Sequence, residues 1–152
     1  MITLVRTNSK NNDFINLVKE LDVYLKIVDG DDHDFYNQFN SIDLLKHVVV
    51  IYKNKKPVAC GAIKYFDSET VEVKRMFVDI TERGVGIASK VVLELENWAK
   101  ELGYKKCVLE TGKRQVEAIK LYRKNNYKQM QINYGQYKNV VYSLCFEKQL
   151  YE

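Results

Sequence analysis

The spacing of apolar residues changes character several times along the chain. ITLVR (residues 2–6) is short and β-rich, and then Phe14, Leu17, Leu21 and Tyr24 recur three or four positions apart, as on one face of an α-helix. A strand is therefore expected at 2–6, followed by a helix N-capped by Ser9 and running to Val28, where DGDDHD (29–34) stops it. A short helical piece is expected at 35–39. HVVVIYKNKKPVACGAIKYF (47–66) holds two β-rich runs about a polar turn at 54–56, with Pro57 tolerated at a strand start, so it reads as an antiparallel hairpin. TVEVKRMFV (70–78) is the next strand, and its imperfect alternation marks a strand sheltered on both faces. Ile87, Val91, Leu95, Trp98 and Leu102 form a helical stripe that Gly103 is placed to end. KKCVLETG (105–112) reads as a strand and RQVEAIKLYRKNN (114–126) as a helix. YKQMQINY (127–134) and VVYSLCFEK (140–148) read as a terminal antiparallel pair turning at Gly135. The element order predicts a mixed α/β fold in one domain over residues 1–152.

The segment VDITERGVGIASK (78–90) leads from a strand into a helix and places two of the chain's seven glycines, Gly84 and Gly86, at the junction. Helix N-termini carry unpaired N–H groups and the positive end of the dipole, so they attract phosphate. Glycine there permits positive φ and removes the Cβ that would hold an anion away from the amides. Arg83 adds a charged donor. The same residues also suit a plain tight turn between strand and helix, and the local pattern leaves both readings open. A dinucleotide fingerprint fits poorly, because Ser89 stands where its third glycine belongs and an antiparallel hairpin precedes the turn. A P-loop fails for want of a following GK[ST].

Composition narrows the partners. With 24 Lys and Arg against 20 Asp and Glu, the net charge of +4 favours an anionic ligand mildly and is too small and interspersed to argue for nucleic acid. Cys60, Cys107 and Cys145 lie far apart without CxxC spacing and are expected as reduced core thiols. Residues 1–12 lack the apolar core of a signal peptide and no run is long enough to span a bilayer, so a cytoplasmic protein is expected. His33 and His47 alone make no metal site, and no metal is expected.

RGVGIA (83–88) resembles the [QR]xxGx[GA] acetyl-CoA signature of the GNAT superfamily of N-acetyltransferases. EVKRMFV (72–78) before it and EAIKLYRKNNY (117–127) after it are similar to the same family's pattern, so the resemblance spans residues 70–127. It implies a twisted, mostly antiparallel sheet with flanking helices, in which strands 70–78 and 106–111 run parallel and splay apart at a β-bulge. It further implies that Arg83 and the amides of Gly84, Val85, Gly86, Ile87 and Ala88 hold the pyrophosphate of acetyl-CoA, the cosubstrate. Pantetheine would pair with the backbone of Met76 and Val78, and the Met76–Phe77 peptide N–H would face the acetyl carbonyl. Two positions depart from the pattern. Gln115 stands where the family often has asparagine and offers a similar amide. NNY (125–127) replaces the usual GF, with Asn126 able to supply the left-handed conformation.

Direct acetyl transfer needs a neutral amine and a proton for the leaving thiolate. By the resemblance Tyr122 is the acid; it is also one of eleven tyrosines, any of which could be simple core. Glu72 is the first candidate for the base and Glu110, at the end of the adjacent strand, the second; a lysine-paired surface glutamate is the alternative for Glu72. VDGDDHDFYNQF (28–39) gathers acids and aromatics that could wall a cationic acceptor or merely cap a helix, and Tyr134 and Tyr137 could form the opposite wall. The expected function is an acetyl-CoA-dependent N-acetyltransferase acting on a primary amine, small molecules favoured over peptides, with a homodimer left open. A non-catalytic acyl-CoA-binding domain, a protein or peptide N-acetyltransferase and a dinucleotide-binding oxidoreductase fragment are the alternatives.

Overall fold

The computed structural model describes residues 1–30 and 45–151. Its elements are β1 (Ile2–Thr7), α1 (Asn12–Asp29), β2 (His47–Lys53), β3 (Lys56–Asp67), β4 (Thr70–Val78), a 3₁₀ turn (Ile80–Glu82), α2 (Ile87–Glu101), β5 (Lys106–Gly112), α3 (Val116–Lys124), β6 (Lys128–Gln129), a second 3₁₀ turn (Gly135–Tyr137) and β7 (Ser143–Gln149). The strands form one seven-stranded sheet in the order β1-β2-β3-β4-β5-β7-β6. Among the described residues only the pairing of β4 with β5 is parallel. The expected mixed α/β fold, mostly antiparallel with a parallel pair near its middle, is what the chain adopts. The helical piece expected at 35–39 lies outside the described residues.

Both faces of the sheet are covered, which explains the uninterrupted apolar run of β2. Val48 and Val50 pack with Cys60, Ala62 and Phe77 against Phe14, Leu17, Val18 and Leu21 of α1. Val49 and Ile51 face the other way, into a core with Val91, Leu95 and Ala99 of α2. Strand side chains alternate between faces, so a strand buried on both must be apolar throughout. Each such side chain contributes roughly 1.5–3 kcal/mol by leaving water. The three cysteines are free and buried, Cys60 and Cys107 in these two cores and Cys145 in a smaller cluster with Val108, Tyr134 and Tyr137.

Two local expectations are corrected. The cap of α1 is Asn11, whose side chain accepts the Phe14 N–H at 2.9 Å, rather than Ser9. The Ser9 N–H is committed to the Leu45 carbonyl, and Asn8 closes a turn on the Lys10 N–H. The terminal pair is not a hairpin about Gly135. β6 is confined to Lys128 and Gln129, the Met130 N–H still donates to the Cys145 carbonyl of β7 at 2.8 Å, and the chain beyond it leaves the ladder, with Tyr134 and Tyr137 turned inward and buried. Asn133 ties the excursion back by donating to the Ser143 carbonyl at 2.9 Å. No helix among the described residues is long and apolar enough to cross a membrane.

Candidate active site

The parallel ladder between β4 and β5 is short. It joins Thr70, Val71 and Glu72 to Lys106, Cys107 and Val108, and beyond Glu72 the strands separate. The cause lies on the other edge of β4, where Cys60 opposes Phe77 and Ala62 opposes Lys74, so that Arg75 and Met76 face the single residue Gly61. This is a β-bulge, with Arg75 at φ 58°, and it bends β4 away from β5. Gly61 is required by space: a Cβ there would lie 2.5 Å from the Met76 sulfur and 2.7 Å from Val91. The Arg75 carbonyl accepts from the Cys60 thiol at 3.4 Å, and its guanidinium pairs with Asp22 of α1 at 2.8 Å.

The wedge opens toward the start of α2. Gly84 and Gly86 both sit at φ 85°, Gly86 being the N-cap, and an added Cβ at either would meet nothing within 4 Å. Conformation, not crowding, selects glycine here, and the surface above the turn is open. The first intrahelical bond runs from Lys90 N–H to the Gly86 carbonyl, so the amides of 87–89 are not used inside the helix. Arg83 lies with its guanidinium 4.8 Å from the Tyr24 ring centroid, its Nε donating to the Val78 carbonyl at 3.0 Å.

A cavity of about 390 Å³ follows the wedge from this turn into the molecule. Met76, Phe77, Val78, Arg83, Gly84, Gly86, Ile87, Ala88, Gln115, Glu72 and Tyr122 all line it, so the expected site residues converge on one space; Val85 is the exception, its side chain being exposed. Gln115 precedes α3 and its amide donates to Asp29 at 3.4 Å. Sequence reasoning missed Lys74, Lys120 and Lys124, which also line the cavity. A lysine at helical spacing on α3 or within a strand carries no sign of where it points until the wedge is built.

Tyr122 is buried, its ring edge-on to Tyr127 at 5.8 Å and tilted against Phe146. Burial, with the Glu110 charge nearby, pushes its phenol up, so it stays protonated and can donate. Glu72 is 5% exposed; it accepts the Tyr134 hydroxyl at 2.5 Å, and its other oxygen lies 3.7 Å from Lys74 Nζ. Glu110 accepts the Ser143 hydroxyl at 2.6 Å. Burial pushes the Glu110 carboxyl up to about 7 against the opposing pull of Ser143 and Lys74, with Asp29 and Glu72 adding to the rise. A carboxyl poised near neutrality beside a phenol donor is an arrangement for moving protons. Tyr137 lines the same side of the cavity, with Tyr134 behind it on Glu72. Of the acidic segment 28–39, Asp29 is buried against the cavity and the part from 31 lies outside the described residues.

The model of the acetyltransferase (GNAT) family matches residues 14–127. The chain is 33% identical over 133 residues to an IAA acetyltransferase of Azospirillum brasilense, covering 83% of this chain and 84% of that one. A Klebsiella pneumoniae structure assigned as an acyl-CoA N-acyltransferase superposes with a TM-score of 0.82 at 26% identity over 99% of both chains. A GNAT acetyltransferase of Elizabethkingia anophelis, solved with acetyl-CoA bound, shares the fold at a TM-score of 0.71 and 18% identity, over 97% of each chain. The chain belongs to the GNAT family. It is an acetyltransferase, and acetyl-CoA is its cosubstrate.

Proposed function

We propose that this protein transfers the acetyl group of acetyl-CoA to the primary amine of a small molecule, by direct attack within a ternary complex. The observation that carries the reading is the single cavity joining the Gly84–Gly86 turn to Tyr122 and Glu110. In this reading the amides of residues 84–88 hold the pyrophosphate, with Arg83, Lys120 and Lys124 adding positive charge. Pantetheine lies along Met76 and Val78 in the wedge, and the Met76–Phe77 N–H meets the developing oxyanion. Gln115 borders the same channel.

The acceptor enters from the α1 side, where Glu72, Glu110, Asp29 and Tyr137 gather. Walls formed by α1 and Tyr137 favour a small acceptor over a folded protein surface. Glu110 takes the proton that the amine must shed, either directly or through water, because its carboxyl is poised near neutrality. Glu72, named first from the sequence, stands beside it and fixes Tyr134 and Lys74. Tyr122 donates toward the thioester sulfur as the coenzyme A thiolate leaves.

The test is thiol release from acetyl-CoA across amines, amino acids, polyamines and peptides, with Gly86→Glu as the control that places charge and bulk on the pyrophosphate turn. Release with a small amine, lost in Gly86→Glu, is expected. Release with peptides only would make this a peptide acetyltransferase. Acetyl-CoA raising the melting midpoint with no amine accepted would leave a binding domain.

A further inference from the structure

Lys74 is a primary amine that is already inside the cavity. Its side chain is 6% exposed, it directly precedes the bulge residue Arg75, and it lines the same space as Tyr122 and Gly84. Val71 and Val73 point into the core beneath α2, so Glu72 and Lys74 project from the opposite face of β4, toward α1. That is the side from which the acceptor amine is proposed to attack. Lys74 Nζ pairs with Glu72 Oε1 at 3.7 Å, and Glu72 also accepts from the Tyr134 hydroxyl, so the amine is held on the acceptor side of the wedge. Burial lowers the pKa of Lys74, with Glu72 opposing, so the neutral amine is more populated than on a surface lysine.

We propose that Lys74 is an internal acetyl acceptor: with acetyl-CoA in the wedge and no external amine beside it, Lys74 Nζ takes the acetyl group. The proposal rests on the acetyl-CoA site proposed above. Neutral Nζ attacks the thioester carbonyl, an N–C bond forms and the C–S bond breaks. The proton shed by Nζ passes to Glu110 or water, and the sulfur leaves as the thiol after gaining one from Tyr122, which water then reprotonates. Acetylation removes the Lys74 charge between Glu72 and Glu110 and fills the acceptor side of the cavity. The modification is therefore self-limiting for the enzyme, and an acceptor amine competes with it.

The experiment needs acetyl-CoA alone. Purified protein is incubated with it, digested after glutamate and mapped by mass; cleavage after Glu72 and Glu82 yields residues 73–82, in which Lys74 is the sole lysine. Lys55 and Lys105, both exposed and outside the cavity, serve as references for uncatalysed acetylation. Acetylation of Lys74 at least about tenfold faster than these is expected, because its reaction occurs within a bound complex. The preference should vanish in Gly86→Glu and under excess coenzyme A. If acetyl-CoA raises the melting midpoint while Lys74 is modified no faster than the references, the proposal fails and the acetyl-CoA site stands. A preference that survives in a Gly86→Glu protein no longer shifted by acetyl-CoA also overturns it. No midpoint shift in the wild type removes the site and the proposal together.

Discussion

Arg75 Nη1 lies 2.8 Å from Asp22 Oδ1, and the residue that makes this pair is the one at which β4 turns away from β5. A long side chain at φ 58° costs roughly 1–2 kcal/mol. The pair ties the strained residue to α1, so the helix that walls the acceptor side also braces the wedge. Asp22→Ala removes an acceptor from a guanidinium that is 4% exposed, while the aspartate itself is 39% exposed. The expected loss is therefore moderate, about 1–2 kcal/mol in urea unfolding. Acetyl-CoA affinity should fall with it, by several-fold in calorimetric titration, since the wedge loses its brace. Unchanged affinity would show that the bulge holds itself open.

Gly61 sits opposite that bulge and admits no side chain. A methyl group there meets Met76, Val91 and Leu95 at 3.0 Å or closer. Met76 is flexible, but Val91 and Leu95 belong to the packed core beneath α2. Gly61→Ala is expected to cost about 1–3 kcal/mol, the usual cost of overpacking. A melting midpoint equal to wild type would mean that the bulge relaxes to make room.

What was legible in the sequence was local chemistry whose partner is also local. Gly84 and Gly86 were expected at positive φ and both lie at 85°; Asn126 was expected to replace a left-handed glycine and lies at 71°. The imperfect alternation of β4 correctly marked a strand covered on both faces, because burial on two sides erases the period-two pattern. What was illegible depended on distant partners. Asn8, Ser9 and Asn11 are all competent caps, and only the folded chain shows that Asn11 takes the Phe14 N–H while the Ser9 backbone is held by Leu45. Tyr134 reads as the end of a strand and Tyr137 as part of the turn beyond it until Glu72, far earlier in the chain, is seen to accept the Tyr134 hydroxyl. On paper Glu72 is the first candidate base and Glu110 the second; burial in the folded sheet, only partly offset by the Ser143 hydroxyl, sets Glu110 apart.

Tyr122→Phe separates proton donation from packing. The ring contacts with Tyr127 and Phe146 persist, and acetyl-CoA should bind within a few-fold of wild type. Single-turnover acetyl transfer should slow on the order of 10²- to 10⁴-fold, the usual contribution of one general acid. Rates within a factor of about two, with chemistry limiting, would make Tyr122 a packing residue.

Glu110→Gln tests the remaining proton, and it does so through stability as well as rate. The carboxyl titrates near 4.5 in the unfolded chain and at about 7 in the folded protein. Below 4.5 both states hold the proton and the ionisation of Glu110 contributes nothing to the pH dependence of folding. Between the two values the folded protein keeps a proton that the unfolded chain has released, so stability falls as pH rises through this window. Above about 7 the cost is complete, on the order of 3 kcal/mol. Glutamine keeps an oxygen for the Ser143 hydroxyl and cannot ionise. Urea unfolding at about pH 5 and about pH 8 should therefore show a smaller decline for Glu110→Gln than for wild type, with the variant the more stable of the two at the higher pH. The rate should move the opposite way: turnover in the wild type should rise as Glu110 loses its proton near neutrality, and the variant should be slow and lack that ascending limb. An equal stability decline in both proteins would place the titration elsewhere, and an unchanged ascending limb would give the base to another group, with Glu72 the next to substitute.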